Sequence, residues 1–199
     1  MKNRLSAPLA RAQPVAGSWL LALCSLLLLS ACNLLPEPQA DTIRHFTLGG
    51  EAGPPPVANG TQVRPVQVAG HLHGRAMAVR VAENEVAYLD DLRWAEPLDA
   101  ALTQILRARL GAVAGGATVT VDVQRFELVR FEGNQVQLAA TYSLQSSGAG
   151  RAAAQRGVFN ATPRAWDGKD PGALVGLLRA AAGELGDAIA AAAEAAAKN

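Results

Sequence analysis

Apolar and polar residues alternate with a period of two through most of the central part of this chain. That period is the signature of half-buried strands. Thr42 to Leu48 reads as a first strand, with Ile43, His45 and Thr47 on one side. Gly49 to Gly60 carries Pro54-Pro55-Pro56 and reads as a loop. Val63 to Val68 reads as a second strand, and Pro65 inside it marks an edge or a strand end, because proline has no N–H for a ladder. Met77, Val79 and Val81 alternate with Ala78 and Arg80, and Glu83-Asn84 joins this strand to a short one over Glu85 to Leu89. Val119, Val121 and Val123 alternate with Thr120 and Asp122, then the phase slips to Phe126 and Leu128. One extra residue around Gln124-Arg125 produces such a slip, so a β-bulge is expected there. Gly133-Asn134 supplies a turn into Val136, Leu138, Ala140, Tyr142 and Leu144. Ser147 to Gly150 is the next turn, into a weaker strand over Arg151 to Ala161. Turns this short force antiparallel neighbours.

The period changes to that of a helix in two places. Leu98, Leu102, Ile105 and Leu106 form one apolar stripe behind Pro97, which suits a first helical position. Arg107 and Arg109 complement the dipole at its end, and Gly115-Gly116 breaks the chain. Asp170-Pro171 opens the second helix, where Leu174, Leu178, Ala181, Leu185 and Ile189 form a stripe that Val175 and Leu177 widen. This helix should cover the sheet. Ala190 to Ala197 either prolongs it or frays. The element order predicts an α/β fold, a mixed and largely antiparallel sheet with helices packed on it.

The N-terminal segment obeys a different logic. Lys2, Arg4 and Arg11 precede an apolar run from Trp19 to Leu29, and no acidic residue comes before Glu37. That order is a secretory signal, and the run is too short and wrongly flanked for a stable transmembrane helix. Leu29-Ser30-Ala31-Cys32 follows, and resembles the lipobox of bacterial lipoproteins. The resemblance implies cleavage before Cys32, with a diacylglyceryl group on its thiol and an acyl group on its new amino terminus. One acyl chain anchors weakly, whereas two or three on one cysteine hold a protein to a bilayer for good. Asn33, where proteins kept at the inner membrane commonly carry Asp, resembles outer-membrane sorting and a periplasmic-face location. Asn33 to Ala40 contains Pro36 and Pro38 and reads as a short tether, so residues 32–41 lead into one domain over 42–199.

Cleavage would leave 199 − 31 = 168 residues, enough for one domain with a real core. The mature balance is (18 − 3) − 17 = −2, which argues against nucleic acid as a partner. Cys32 would be the only mature cysteine, so stability must come from packing rather than disulfides. His71 and His73, two apart, do not close a zinc site, and no cysteine or acidic residue completes a ligand pattern nearby. Gly148 to Gly150 lacks the lysine and helix of a phosphate loop, and no nucleophile elbow appears. Asp90-Asp91, consecutive on a strand, point to opposite faces and would not share a substrate. No metal or cofactor is expected, and a catalytic role is not.

The segments together resemble the ABC-type transport auxiliary lipoproteins. His45-Phe46-Thr47-Leu48 is similar to that family's opening strand, and His71 to Arg75 followed by Met77 to Arg80 to its next conserved-looking segment. Tyr88 followed by Arg93-Trp94-Ala95-Glu96-Pro97-Leu98 carries the most specific likeness. Phe126 to Ala139 resembles its central β pair, and Asp170 to Ile189 its closing helix. His71, His73 and Gly74 depart from the family's usual Tyr, Asp and spacing. The resemblance implies a sheet-and-helix fold related to the amino-terminal domain of TolB. It implies a non-catalytic subunit of an envelope lipid-transport system, partnered by an MCE-domain periplasmic protein and an ABC permease complex. A ring-like homo-oligomer is compatible with it. Three other readings stay open: an activator of a peptidoglycan synthase, which the short tether disfavours; a periplasmic lipid carrier, which requires an apolar pocket; and an envelope hydrolase, which the missing nucleophile pattern weakens. Candidate partner-binding residues are Tyr88, Arg93 and Trp94. A large aromatic before a helix serves either as an exposed anchor or, more commonly, as a cover between helix and sheet. Arg75 and Arg80 are expected to pair locally with Asp90 or Asp91.

Overall fold

The computed structural model describes residues 42–49, 55, 57–145 and 154–198. The signal, Cys32, the tether and the turn at Ser147 to Gly150 lie outside the described residues.

The sheet is organised by its longest strands. β6 (Thr118–Val129) and β7 (Gln135–Gln145) pair antiparallel over their whole length, joined by a tight turn at Gly133 and Asn134, whose φ values are 89° and 55°. Such left-handed angles are what glycine and asparagine adopt most readily. Val119, Val121 and Val123 lie opposite Leu144, Tyr142 and Ala140; beyond a register shift between Val123 and Arg125, Phe126 and Leu128 lie opposite Leu138 and Val136. The bulge anticipated from the phase slip therefore keeps both halves of β6 facing one core.

The edges of this pair are filled from short pieces. β8 (Ala154–Asn160) and β9 (Arg164–Ala165) pair antiparallel with β7. β2 (Gln62–Val63), β3 (Gln67–Val68) and β4 (Ala76–Ala82) pair parallel with successive stretches of β6. β5 (Glu85–Trp94) is antiparallel to β4, and β1 (Arg44–Phe46) is parallel to β5. The order β1-β5-β4-β6-β7-β8 gives a mixed, largely antiparallel sheet. β5 outruns the expected strand by five residues, to Trp94. The pair Asp90-Asp91 hid this, because Ala76 to Ala78 of β4 spans the same stretch as Tyr88 to Arg93 of β5 and the alternation is lost across the bulge.

Pro65 divides what reads as one strand into β2 and β3. Arg64 N–H still donates to Val119 O at 2.9 Å, and the ladder resumes where Ala69 N–H donates to Val123 O at 2.9 Å. Between them Val66 N–H turns inward and donates to Thr103 Oγ1 at 2.9 Å, while that hydroxyl donates to Asp99 O at 2.6 Å. One threonine on α1 (Leu98–Leu110) thus completes the backbone of an interrupted strand. Val66 is 1% and Thr103 6% exposed, so a lost partner would not be replaced by water. Thr103→Val should therefore lower the unfolding free energy by about 1–3 kcal/mol, and Thr103→Ser should retain most of it. Urea unfolding of the two variants checks this; a stable Thr103→Val beside a destabilised Thr103→Ser would show that methyl packing, not the hydroxyl, is what this site needs.

Both helices cover the same face. α1 packs on β2 and β3 and against α2 (Pro171–Lys198), which lies on β7. Pro97 stands one place earlier than expected, as the N-cap, its carbonyl accepting from Ala101 N–H at 3.1 Å. Asp170 caps α2 with both oxygens, accepting from Gly172 N–H at 2.9 Å and Ala173 N–H at 3.1 Å. The stripe from Leu174 to Ile189 is buried, and the alanine-rich end continues as helix, with Ala193 still 4% exposed. Arg109 of α1 reaches across to Asp187 of α2, and Arg164 of β9 to Glu184. Residues 42–199 form one unit, with its core between sheet and helices and the opposite sheet face left bare of helix.

Candidate functional site

The bare face carries the alternate set of strand positions. Glu127 of β6 falls on it, yet its side chain is 0% exposed. Two side chains meet it, and a third holds one of them in place. Arg80 of β4 donates from Nε to Glu127 Oε1 at 2.5 Å and from Nη1 to Glu83 O at 3.0 Å. His71, in the 3₁₀ turn Gly70–Leu72, places Nε2 3.5 Å from Glu127 Oε2. Tyr88 of β5 donates its phenolic O–H to His71 O at 3.1 Å and so pins that turn to the sheet. His71 Nε2 and Glu127 Oε2 are both buried without a hydrogen-bond partner, and they face each other. The carboxylate is thus gripped on one oxygen and faced by an imidazole on the other. This is a buried polar post on the sheet face that carries neither α-helix. Among the described residues no group of three or more His, Cys, Asp or Glu gathers at metal-binding distance.

The sequence-derived candidates separate here. Tyr88 is 45% exposed and stands at the rim of the post. Trp94 is 4% exposed, its ring 6.1 Å from that of Phe126, and it presents no surface to a partner. It covers the junction of sheet and α1, the commoner of the two places weighed for it. Arg93, one residue earlier, points the other way, pairs in register with His45 and Ala76, and keeps a buried Nε without a partner. The expected pairing of Arg75 or Arg80 with Asp90 or Asp91 is corrected. Arg80 goes to Glu127, because parallel pairing of Arg80 with Val129 sets it diagonally beside that residue on the same face. Glu127 escaped notice because an outward glutamate on a strand ordinarily reads as solvated. Only its place just past the bulge hinted at anything else.

Farther along the same face β6, β7 and β8 enclose a groove of about 550 Å³, with Asp122, Thr141, Ser143, Arg156 and Val158 along it. On the other, core-facing side of the same strands the Tyr142 ring lies over Gly157; a Cβ at Gly157 would fall 2.3 Å from that ring and force it to move. Val158 is 75% exposed on the edge strand. Among the described residues no helix is long and apolar enough to cross a membrane.

The model of a family described as the ABC-type transport auxiliary lipoprotein component matches residues 46–190. The chain belongs to this family. In this auxiliary lipoprotein the match begins at Phe46 in β1 and closes inside α2, so it takes in both helices and the His71–Glu127–Arg80 post. The family ties the chain to an ABC transport system and to membrane association as a lipoprotein. Two solved structures share the fold. A protein of uncharacterised function aligns at 19% identity with a TM-score of 0.58, over 73% of this chain and 95% of its own. A Xanthomonas campestris protein of the DUF330 family aligns at 18% identity with a TM-score of 0.57, over 73% of this chain and 92% of its own. No curated protein matches this auxiliary lipoprotein.

Proposed function

We propose that this protein is a non-catalytic subunit of an ABC/MCE-type intermembrane lipid transport system, held by lipid on Cys32 at the periplasmic face of the outer membrane. Its bare sheet face docks the periplasmic MCE-domain component. The observation that supports this most directly is the asymmetry of the two layers. One face is closed by both helices, while the other is open and organised around a buried ion pair with Tyr88 at its rim. Shape of this kind suits a docking surface, where an exposed aromatic beside a rigid, fully packed polar group forms an anchor point. The groove beside it has an acid, an arginine and two hydroxyls along it, which suits protein contact better than an acyl chain.

A photo-crosslinking amino acid at Tyr88, and separately at Glu194 on the exposed side of α2, tests the proposal in the native host. An MCE-domain protein or its permease complex should be captured from position 88 and not from position 194. Capture of a peptidoglycan synthase would support the activator instead. Lipid alone at position 88 would support the carrier, and equal capture from both positions would overturn docking through this face.

A further inference from the structure

We infer that the free edge of the sheet around β1 rests on an anionic phospholipid surface; this builds on the proposed anchor at Cys32. β1 is three residues long, yet four arginines gather round it. Arg44 belongs to it, its guanidinium 5.1 Å from the centre of the Phe46 ring. Arg93 lies beside it, in register with His45. Arg75 accepts Trp94 N–H on its carbonyl at 2.7 Å, and Trp94 is the register partner of Phe46. Arg179 of α2 donates from Nε to Leu48 O at 3.1 Å and from Nη2 to Thr47 O at 3.5 Å. Ion pairs among the described residues involve Arg80, Arg109, Arg164 and His71, and none of these four. Among the described residues Asp90, Asp91 and Glu96 are the carboxylates beside Arg93, and no ion pair joins them to these arginines; Asp41 and Glu51, on either side of β1 in sequence, lie outside the described residues.

Two facts select a bilayer over other anionic partners. β1 is the first described element after Cys32, and its Arg44 lies 44 − 32 = 12 positions on. A chain of that length spans about 40 Å at full extension and about 20 Å as a coil. The anchor therefore keeps β1 within that reach of the headgroups. Second, charged side chains along a short edge strand disfavour addition of another strand, which leaves a diffuse anionic surface as the fitting occupant. Guanidinium groups bind phosphates through paired N–H donors, so arginines outside any ion pair at that level match a headgroup layer.

The lipidated, full-length protein should be incorporated into vesicles of phosphatidylcholine alone and into vesicles that also contain phosphatidylglycerol, and amide hydrogen exchange followed by mass spectrometry. Flotation with both vesicle types is expected from the anchor. Amides of Arg44 to Leu48 should exchange several-fold more slowly on the anionic vesicles, and high salt or the double variant Arg44→Gln/Arg75→Gln, both at exposed positions, should abolish the difference. Equal exchange on the two vesicle types overturns the lipid-facing edge while leaving the anchor intact. Slowing that persists in the variant overturns it too. Failure to float with either type overturns the anchor, and the inference with it.

Discussion

Replacing Arg80 with methionine should cost this fold about 3–5 kcal/mol of unfolding free energy. Glu127 has 0% of its side chain exposed and Arg80 has 11%, so the pair is buried rather than screened by water. Desolvating two charges is expensive, and their attraction at close range roughly offsets that expense while both are present. Removing one leaves the other in place with its desolvation uncompensated. Glu127 would then face only His71, at 3.5 Å and without a hydrogen bond. Arg80→Met also releases Glu83 O, which anchors the β4–β5 turn. The double variant Arg80→Met/Glu127→Leu separates lost charge from lost packing, since apolar groups of similar volume can replace a buried pair at little or no cost. It should recover most of the stability. Urea unfolding followed by the emission of Trp94 and Trp166 reads both variants. A single-variant loss below about 1 kcal/mol, the range of exposed pairs, would show that water reaches Glu127 and that the post is not rigid.

Strand periodicity made most of this fold legible in advance. The bulge at Gln124-Arg125, the turn at Gly133-Asn134 and the cap at Asp170 follow from rules that act within a few residues, and each stands where those rules put it. What stayed hidden depends on residues distant in sequence. Nothing near Pro65 announces that Thr103 will take up Val66 N–H, since the two are 37 positions apart. The parallel pairing of β4 with β6, and so the meeting of Arg80 with Glu127 across 47 positions, is equally invisible to local pattern. The candidate site was half legible for the same reason. Tyr88, Arg93 and Trp94 stand out by type in one short segment, but which of them reaches solvent is decided by β1 and β4 on either side of β5 and by Phe126 of β6 packing on Trp94.

Trp94→Ala and Tyr88→Ala, only six positions apart on β5, should therefore fail in different ways. Trp94 lies between sheet and α1 against Phe126, and truncating a buried tryptophan removes about 3–5 kcal/mol. Any loss of partner binding in that variant should follow the unfolded fraction and vanish when the protein is cooled or otherwise stabilised. Tyr88 is 45% exposed and donates one exposed hydrogen bond to His71 O. Its truncation should change stability by no more than about 1 kcal/mol. If the bare face docks a periplasmic partner, an aromatic at the rim of a packed polar post is where binding energy concentrates, and its loss should weaken association by about 2 kcal/mol or more, some thirty-fold. Thermal unfolding and quantitative co-purification of the same two variants give the two readouts. Weak binding with intact folding at position 88, and the reverse at position 94, would divide the segment into an interface half and a core half. Undiminished co-purification of a well-folded Tyr88→Ala protein would move the docking surface elsewhere, first to the Val158 end of the groove, the most exposed large apolar side chain on the same face.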